Sequence, residues 1–126
     1  MKQILLVPDS FKGTLSSSQV CKLMEAQLTR FFPEAHIDSL PVADGGEGSV
    51  DAFLTAAGGR KVTKTVTGPF GEPVESFYGI LPDGCTAVIE MAACAGLPLA
   101  EGHLDPEKAT TFGVGELILA AKEAGC

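Results

Sequence analysis

The chain has 126 residues, of which 45% are hydrophobic and 20% charged, a balance that excludes disordered and collagen-like classes and fits an ordinary globular domain. A chain of this length buries about two-thirds of the surface exposed when unfolded, so folding requires neither disulfides nor a metal. Nine Lys and Arg against sixteen Asp and Glu give a formal charge of -7, and without a basic face to neutralise phosphates no nucleic-acid partner is expected.

Ile4-Leu5-Leu6-Val7 is a short apolar run ended by Pro8, the pattern of a strand covered on both faces in a largely parallel sheet. It meets Pro8-Asp9 too early for a signal-peptide core, and no run approaches the roughly 18 apolar residues of a membrane span. A cytoplasmic location with no membrane partner is the expectation. A polar loop, Asp9 to Leu15, follows. Ser16 and Gln19 then form a capping-box pattern, and Val20, Leu23, Met24, Leu28, Phe31 and Phe32 recur at helical spacing until Pro33, which predicts a helix with those side chains as its inner stripe.

His36 to Leu40 reads as a second strand, Pro41 to Gly48 as a second polar loop, and Ser49 to Ala57 as a short helix closed by Gly58-Gly59. The character then changes. Threonines alternate with Val62, Lys64 and Val66, the turn signal Gly68-Pro69-Phe70-Gly71 precedes Val74 to Leu81, and an antiparallel hairpin is predicted. Pro82-Asp83-Gly84 turns into a third strand, Thr86 to Met91, whose far end carries Glu90. Ala92 to Asp105 has few periodic cues. Thr110 to Gly115 opens a last helix with Val114, Leu117, Ile118 and Ala121 facing inward. An alternating pattern would next enter another strand, so the chain reads as part of a larger unit. Met24, Met91 and the phenylalanines are assigned to the core. The four cysteines form no C-x-x-C pair and stand at no zinc-ligand spacing from His36 or His103; they read as reduced, mostly buried thiols.

The chemistry-bearing residues concentrate in the two loops that leave predicted strands and enter predicted helices, the place where open α/β sheets bind ligands. In the first, Lys12 offers a point charge for a phosphate or carboxylate, Ser10 and Thr14 offer hydroxyls, and free amides at the following helix start point into the same space. In the second, Asp44 and Glu47 flank Gly45 and Gly46, where backbone can approach a ligand and carboxylates can hold a hard cation. Each has a structural alternative: Lys12 as a solvated loop lysine, and Asp44 as a turn or helix-start residue. Glu90 reads equally as a base or a capping acceptor. Gly113-Val114-Gly115-Glu116 is a fragment of a phosphate-loop pattern, but neither a complete P-loop nor a dinucleotide fingerprint is present.

Pro8-Asp9-Ser10-Phe11-Lys12-Gly13, Pro41-Val42-Ala43-Asp44-Gly45-Gly46-Glu47-Gly48 and Thr65-Val66-Thr67-Gly68-Pro69-Phe70-Gly71-Glu72-Pro73-Val74 resemble, in order and spacing, the start of the bacterial glycerate kinases of the two-domain type. Ala87 to Ala92, Ala95 to Leu99 and Thr110 to Ile118 extend the resemblance over nearly the whole chain. It implies ATP- and Mg²⁺-dependent phosphorylation of D-glycerate to a phosphoglycerate, with the 2-position favoured. It also implies two α/β domains, a Rossmann-like layered sheet beginning in 1–59 and a second domain containing the hairpin beginning in 60–126, with the active site in the cleft between them. Family members are longer, and their Gly-Gly-Ser-Ala-Thr-Asn-Asp motif is absent, so the chain by itself is expected to be inactive. Within that chemistry Lys12 and Asp44 are the catalytic candidates, and Asp9, Ser10, Gly45, Gly46 and Glu47 the substrate-binding ones. No metal ligand is fixed, with Asp44 first and Asp9 and Glu47 second as choices. A non-catalytic anion- or nucleotide-binding role for the same loops is the alternative, and a hydrolase using Asp9 and Ser10 is disfavoured because no G-x-S-x-G elbow exists.

Overall fold

A computed structural model describes residues 2–126. The order of elements is β1 (Gln3–Leu6), α1 (Ser17–Phe31), β2 (His36–Ser39), α2 (Ser49–Ala57), β3 (Arg60–Thr67), β4 (Pro73–Ile80), β5 (Ala87–Val88), α3 (Ala92–Ala95), a 3₁₀ turn (Leu97–Ala100) and α4 (Phe112–Glu123). The chain is therefore α/β, and it forms two compact units, Met1–Asp44 and Gly45–Cys126. The division falls ahead of α2, which belongs with the hairpin unit.

In the first unit β1 and β2 pair in parallel, Gln3 opposite His36 through Leu6 opposite Ser39, and α1 is the crossover that a parallel pair requires. The helix starts where local chemistry says it should. The Ser16 hydroxyl accepts from Gln19 N–H at 3.3 Å, and the Gln19 side chain accepts from Ser16 N–H at 2.8 Å, a capping box worth about 1 kcal/mol. Its inner face differs from the expected stripe. Val20 and Cys21 are buried, whereas Leu23, Met24, Phe31 and Phe32 are exposed. A two-stranded sheet is too narrow to cover a full helical stripe. For the same reason β1 is not covered on both faces, and Leu5 is 64% exposed while Leu6 is 5% exposed.

The second unit is built on a hairpin, β3 against β4, with Arg60 opposite Ile80 and Thr67 opposite Pro73. The predicted third strand shrinks to β5, whose Ala87 and Val88 pair with Ile80 and Gly79; Glu90 lies past its end. On one part of the hairpin, α2 lies close over Gly79, where a side chain would meet Val50 and Leu54. On another, α4 approaches so closely that a Cβ on Gly113 would run into the Thr67 carbonyl. Val66, Tyr78, Ile80, Cys94, Leu117, Ala120 and Ala121 form the core cluster. Ile118, expected inside, is exposed, because the seating of Gly113 on β3 turns the Leu117–Ala121 face inward. Most phenylalanines and Met24 and Met91 also stand at the surface rather than in the core.

Candidate active site

The carboxyl ends of β1 and β2 lie side by side because the strands are parallel neighbours, so the loops that leave them start from adjacent points. One hydroxyl ties them together. Ser17, the first residue of α1, donates to the Pro8 carbonyl at 2.6 Å and accepts from Val42 N–H at 3.0 Å. Asp9 follows the first anchor directly and Asp44 stands two residues beyond the second. Sequence reasoning missed Ser17, whose partners lie 9 and 25 residues away.

Within the first loop, Phe11 N–H donates to the Leu15 carbonyl at 2.8 Å, and the Phe11 carbonyl accepts from Thr14 and Leu15 at 2.9 and 3.0 Å. The resulting turn is tight enough to need Gly13 at φ 71°, and it leaves Lys12 exposed at its tip. Asp9 turns one carboxylate oxygen back onto Ser10 N–H at 2.7 Å. That contact orders the start of the loop and leaves the second oxygen of Asp9 outside it. Ser10 is half-buried.

The second loop runs from Pro41 through Asp44 into Gly45, Gly46, Glu47 and Gly48, and Gly45 and Gly48 adopt φ of 98° and 88°. Asp44 and Glu47 are exposed. The Gly46 carbonyl accepts from Ser49 Oγ at 2.8 Å. Among the described residues no three of His, Cys, Asp and Glu stand together as a metal cage. A Mg²⁺ held by one or two carboxylates plus phosphate and water needs no such cage, and exposed oxygen donors such as Asp44, Glu47 and Asp9 are the chemistry that such an ion takes.

Other sequence candidates resolve as structural. Glu90 is the capping acceptor of its two readings: its carboxylate is buried and accepts from Gly48 and Val50 N–H. In Gly113-Val114-Gly115-Glu116, Gly113 serves close packing and the Glu116 carboxylate accepts from Thr67 N–H at 2.6 Å. Cys21 and Cys94 are buried, and burial pushes both thiols above their ordinary range, with Glu25 and Glu116 respectively adding to the effect. Cys85 is exposed and Cys126 half-buried, so only two of the four thiols fit the expectation. The second unit also contains a depression of about 370 Å³, lined by Phe70, Leu97, His103, Leu104 and Thr110 among others. None of the loop candidates lines it.

The chain belongs to the α/β class, with polar loops at the carboxyl ends of paired parallel strands, the place where open α/β sheets bind ligands. The family is more specific. The glycerate kinase family model matches residues 4–126. The chain is 48% identical over 124 residues to the glycerate kinase of Bacillus subtilis (strain 168), covering 98% of this chain and 32% of that protein. It has the same identity and coverage with the glycerate 2-kinase of Escherichia coli (strain K12). The crystal structure of a Salmonella typhimurium LT2 protein assigned as glycerate kinase 2 superimposes with a TM-score of 0.75 at 44% identity, over 98% of this chain and 33% of that one. The chain belongs to the glycerate kinase family, and it spans about a third of the length of the curated relatives it matches. Among the described residues no helix is long and apolar enough to cross a membrane.

Proposed function

We propose that the chain supplies the amino-terminal portion of an ATP-dependent glycerate kinase, which transfers the γ-phosphoryl group of ATP to a hydroxyl of D-glycerate and yields 2-phosphoglycerate. The observation that carries this reading is the joining of the two loops by Ser17 at the carboxyl ends of β1 and β2, in a chain whose family bears that name. The enzyme is placed in the cytoplasm, with glycerate and ATP as its small-molecule partners.

Phosphoryl transfer asks a protein mainly to position the reactants and to stabilise charge on the transferring group. Lys12, an exposed ammonium on a hydrogen-bonded turn, suits the glycerate carboxylate or an oxygen of the transferring phosphoryl, and Ser10 donates a hydrogen bond beside it. Asp44 orients the attacking hydroxyl and accepts its proton, or else binds the metal, with Asp9 and Glu47 as further oxygen donors. Gly45 and Gly46 leave room for substrate to approach the backbone. Asp44, with Asp9 and Glu47 as second choices, would hold a Mg²⁺, which would supply neutralising charge for the phosphate groups.

Lys12→Ala and Asp44→Asn, each made in the polypeptide extended to the family's length, test these roles. Each should lower glycerate-dependent ADP release by about 100-fold or more, as for lost charge stabilisation or proton transfer. Because Lys12 is exposed at the tip of its turn, its replacement should move the melting temperature by no more than about 2 °C. Unaltered turnover in both variants would overturn the assignment. ADP release without phosphoglycerate would redirect the reading to hydrolysis, and nucleotide binding without turnover would redirect it to a binding role.

A further inference from the structure

Among the described residues Glu90 is the only charged side chain that is buried, at 3% exposure. A carboxylate in that position is unfavourable unless hydrogen bonds replace its lost water. Its bonds run to a single place. Glu90 Oε2 accepts from Val50 N–H at 2.9 Å, and Oε1 accepts from Gly48 N–H at 3.3 Å. These are amides at the start of α2, where the N-cap is Gly48 and no local side chain caps. Ser49, the next hydroxyl in line, turns back instead and donates to the Gly46 carbonyl. The helix start therefore draws its acceptor from a residue 40 positions away.

Two consequences follow for the second loop. Gly46 is held through its carbonyl by Ser49 and Gly48 through its amide by Glu90, so Glu47 projects from a stretch pinned on both sides. The amides of a helix start are also a natural anion site, and here an internal carboxylate has taken that place. We propose that Glu90 is a positioning residue for the Gly45–Gly48 loop: it fixes the backbone from which Glu47 presents its carboxylate, and it reserves this loop for a divalent cation rather than a phosphate group. The proposal rests on the reading of the loop given under Proposed function.

The test compares Glu90→Ala and Glu90→Gln with the unchanged protein, Gln keeping one acceptor oxygen in the same shape. In the 126-residue chain, amide hydrogen exchange at Gly48 and Val50 should accelerate by about tenfold or more in Glu90→Ala, and less in Glu90→Gln. In the extended polypeptide, the Mg²⁺ concentration for half-maximal glycerate phosphorylation should rise several-fold in Glu90→Ala, with Glu90→Gln between. If Glu90→Ala does not fold, Glu90→Gln alone carries the comparison. Faster exchange with an unchanged Mg²⁺ requirement would reduce Glu90 to a helix cap and overturn the proposal, as would unchanged exchange. An unchanged Mg²⁺ requirement in Asp44→Asn and Glu47→Gln would instead overturn the reading of the loop itself.

Discussion

Ser17 shows how one hydroxyl organises a site that it need not touch. Its bonds to Pro8 and Val42 satisfy two half-buried backbone groups at once, and these groups belong to the two loops carrying Lys12 and Asp44. Ser17→Ala leaves both groups without that partner, which should destabilise the protein by about 1–3 kcal/mol. Ser17→Thr keeps the hydroxyl and should recover most of that stability. Denaturant unfolding of the two variants checks this, and equal stability of Ala and Thr would contradict the role given to the hydroxyl. Lys12, Asp44, Gly45, Gly46 and Glu47 can be proposed from the sequence because loop chemistry is local: glycines flanked by charges between a strand and a helix stand out in place. Ser17 and Glu90 were not assignable, because what defines each is a hydrogen bond to a residue far along the chain.

At the scale of elements, local signals set the boundaries and tertiary contacts set the faces. The capping box, Pro33, Gly58 and the Gly68–Gly71 turn placed α1, α2 and the hairpin within about a residue of where they lie. The faces of α1 and α4 were less legible, since several apolar positions qualify on each helix and only the neighbouring sheet decides among them. The third strand is shorter than expected for a related reason: Thr86 to Met91 is apolar enough for a strand, but only Ala87 and Val88 find ladder partners.

The turn before that strand carries a pH signature. The Thr86 hydroxyl, with the Thr86 and Cys85 amides, donates to Asp83 and lowers its carboxyl to about 2 from 3.8. A carboxyl lowered on folding contributes stability above its unfolded pKa, and that contribution is lost as pH falls from about 4 through about 2. A carboxyl NMR titration should find the Asp83 midpoint near 2 and the Asp83→Asn protein without this step; a midpoint near 3.8 would contradict the hydrogen bonding described.

For the whole molecule, composition and element order were sufficient to indicate an α/β chain, and the order of loop motifs was sufficient to indicate the family. The compact units follow packing and not chain order: α2 follows the second loop in sequence, and its packing against Gly79 assigns it to the hairpin unit. Apolar side chains at the surface of both units, among them Leu5, Phe31 and Phe112, read as core in the sequence because apolar patterning reports which residues share a face and not whether anything covers that face. The central claim is that these loops belong to a glycerate kinase. It is tested most directly by coupled ADP release with D-glycerate and MgATP, measured on the 126-residue chain and on the polypeptide extended to the family's length. The account predicts glycerate-dependent turnover in the extended form, with phosphoglycerate as product, and none in the shorter chain. A folded extended form that binds MgATP yet leaves glycerate unphosphorylated would contradict it.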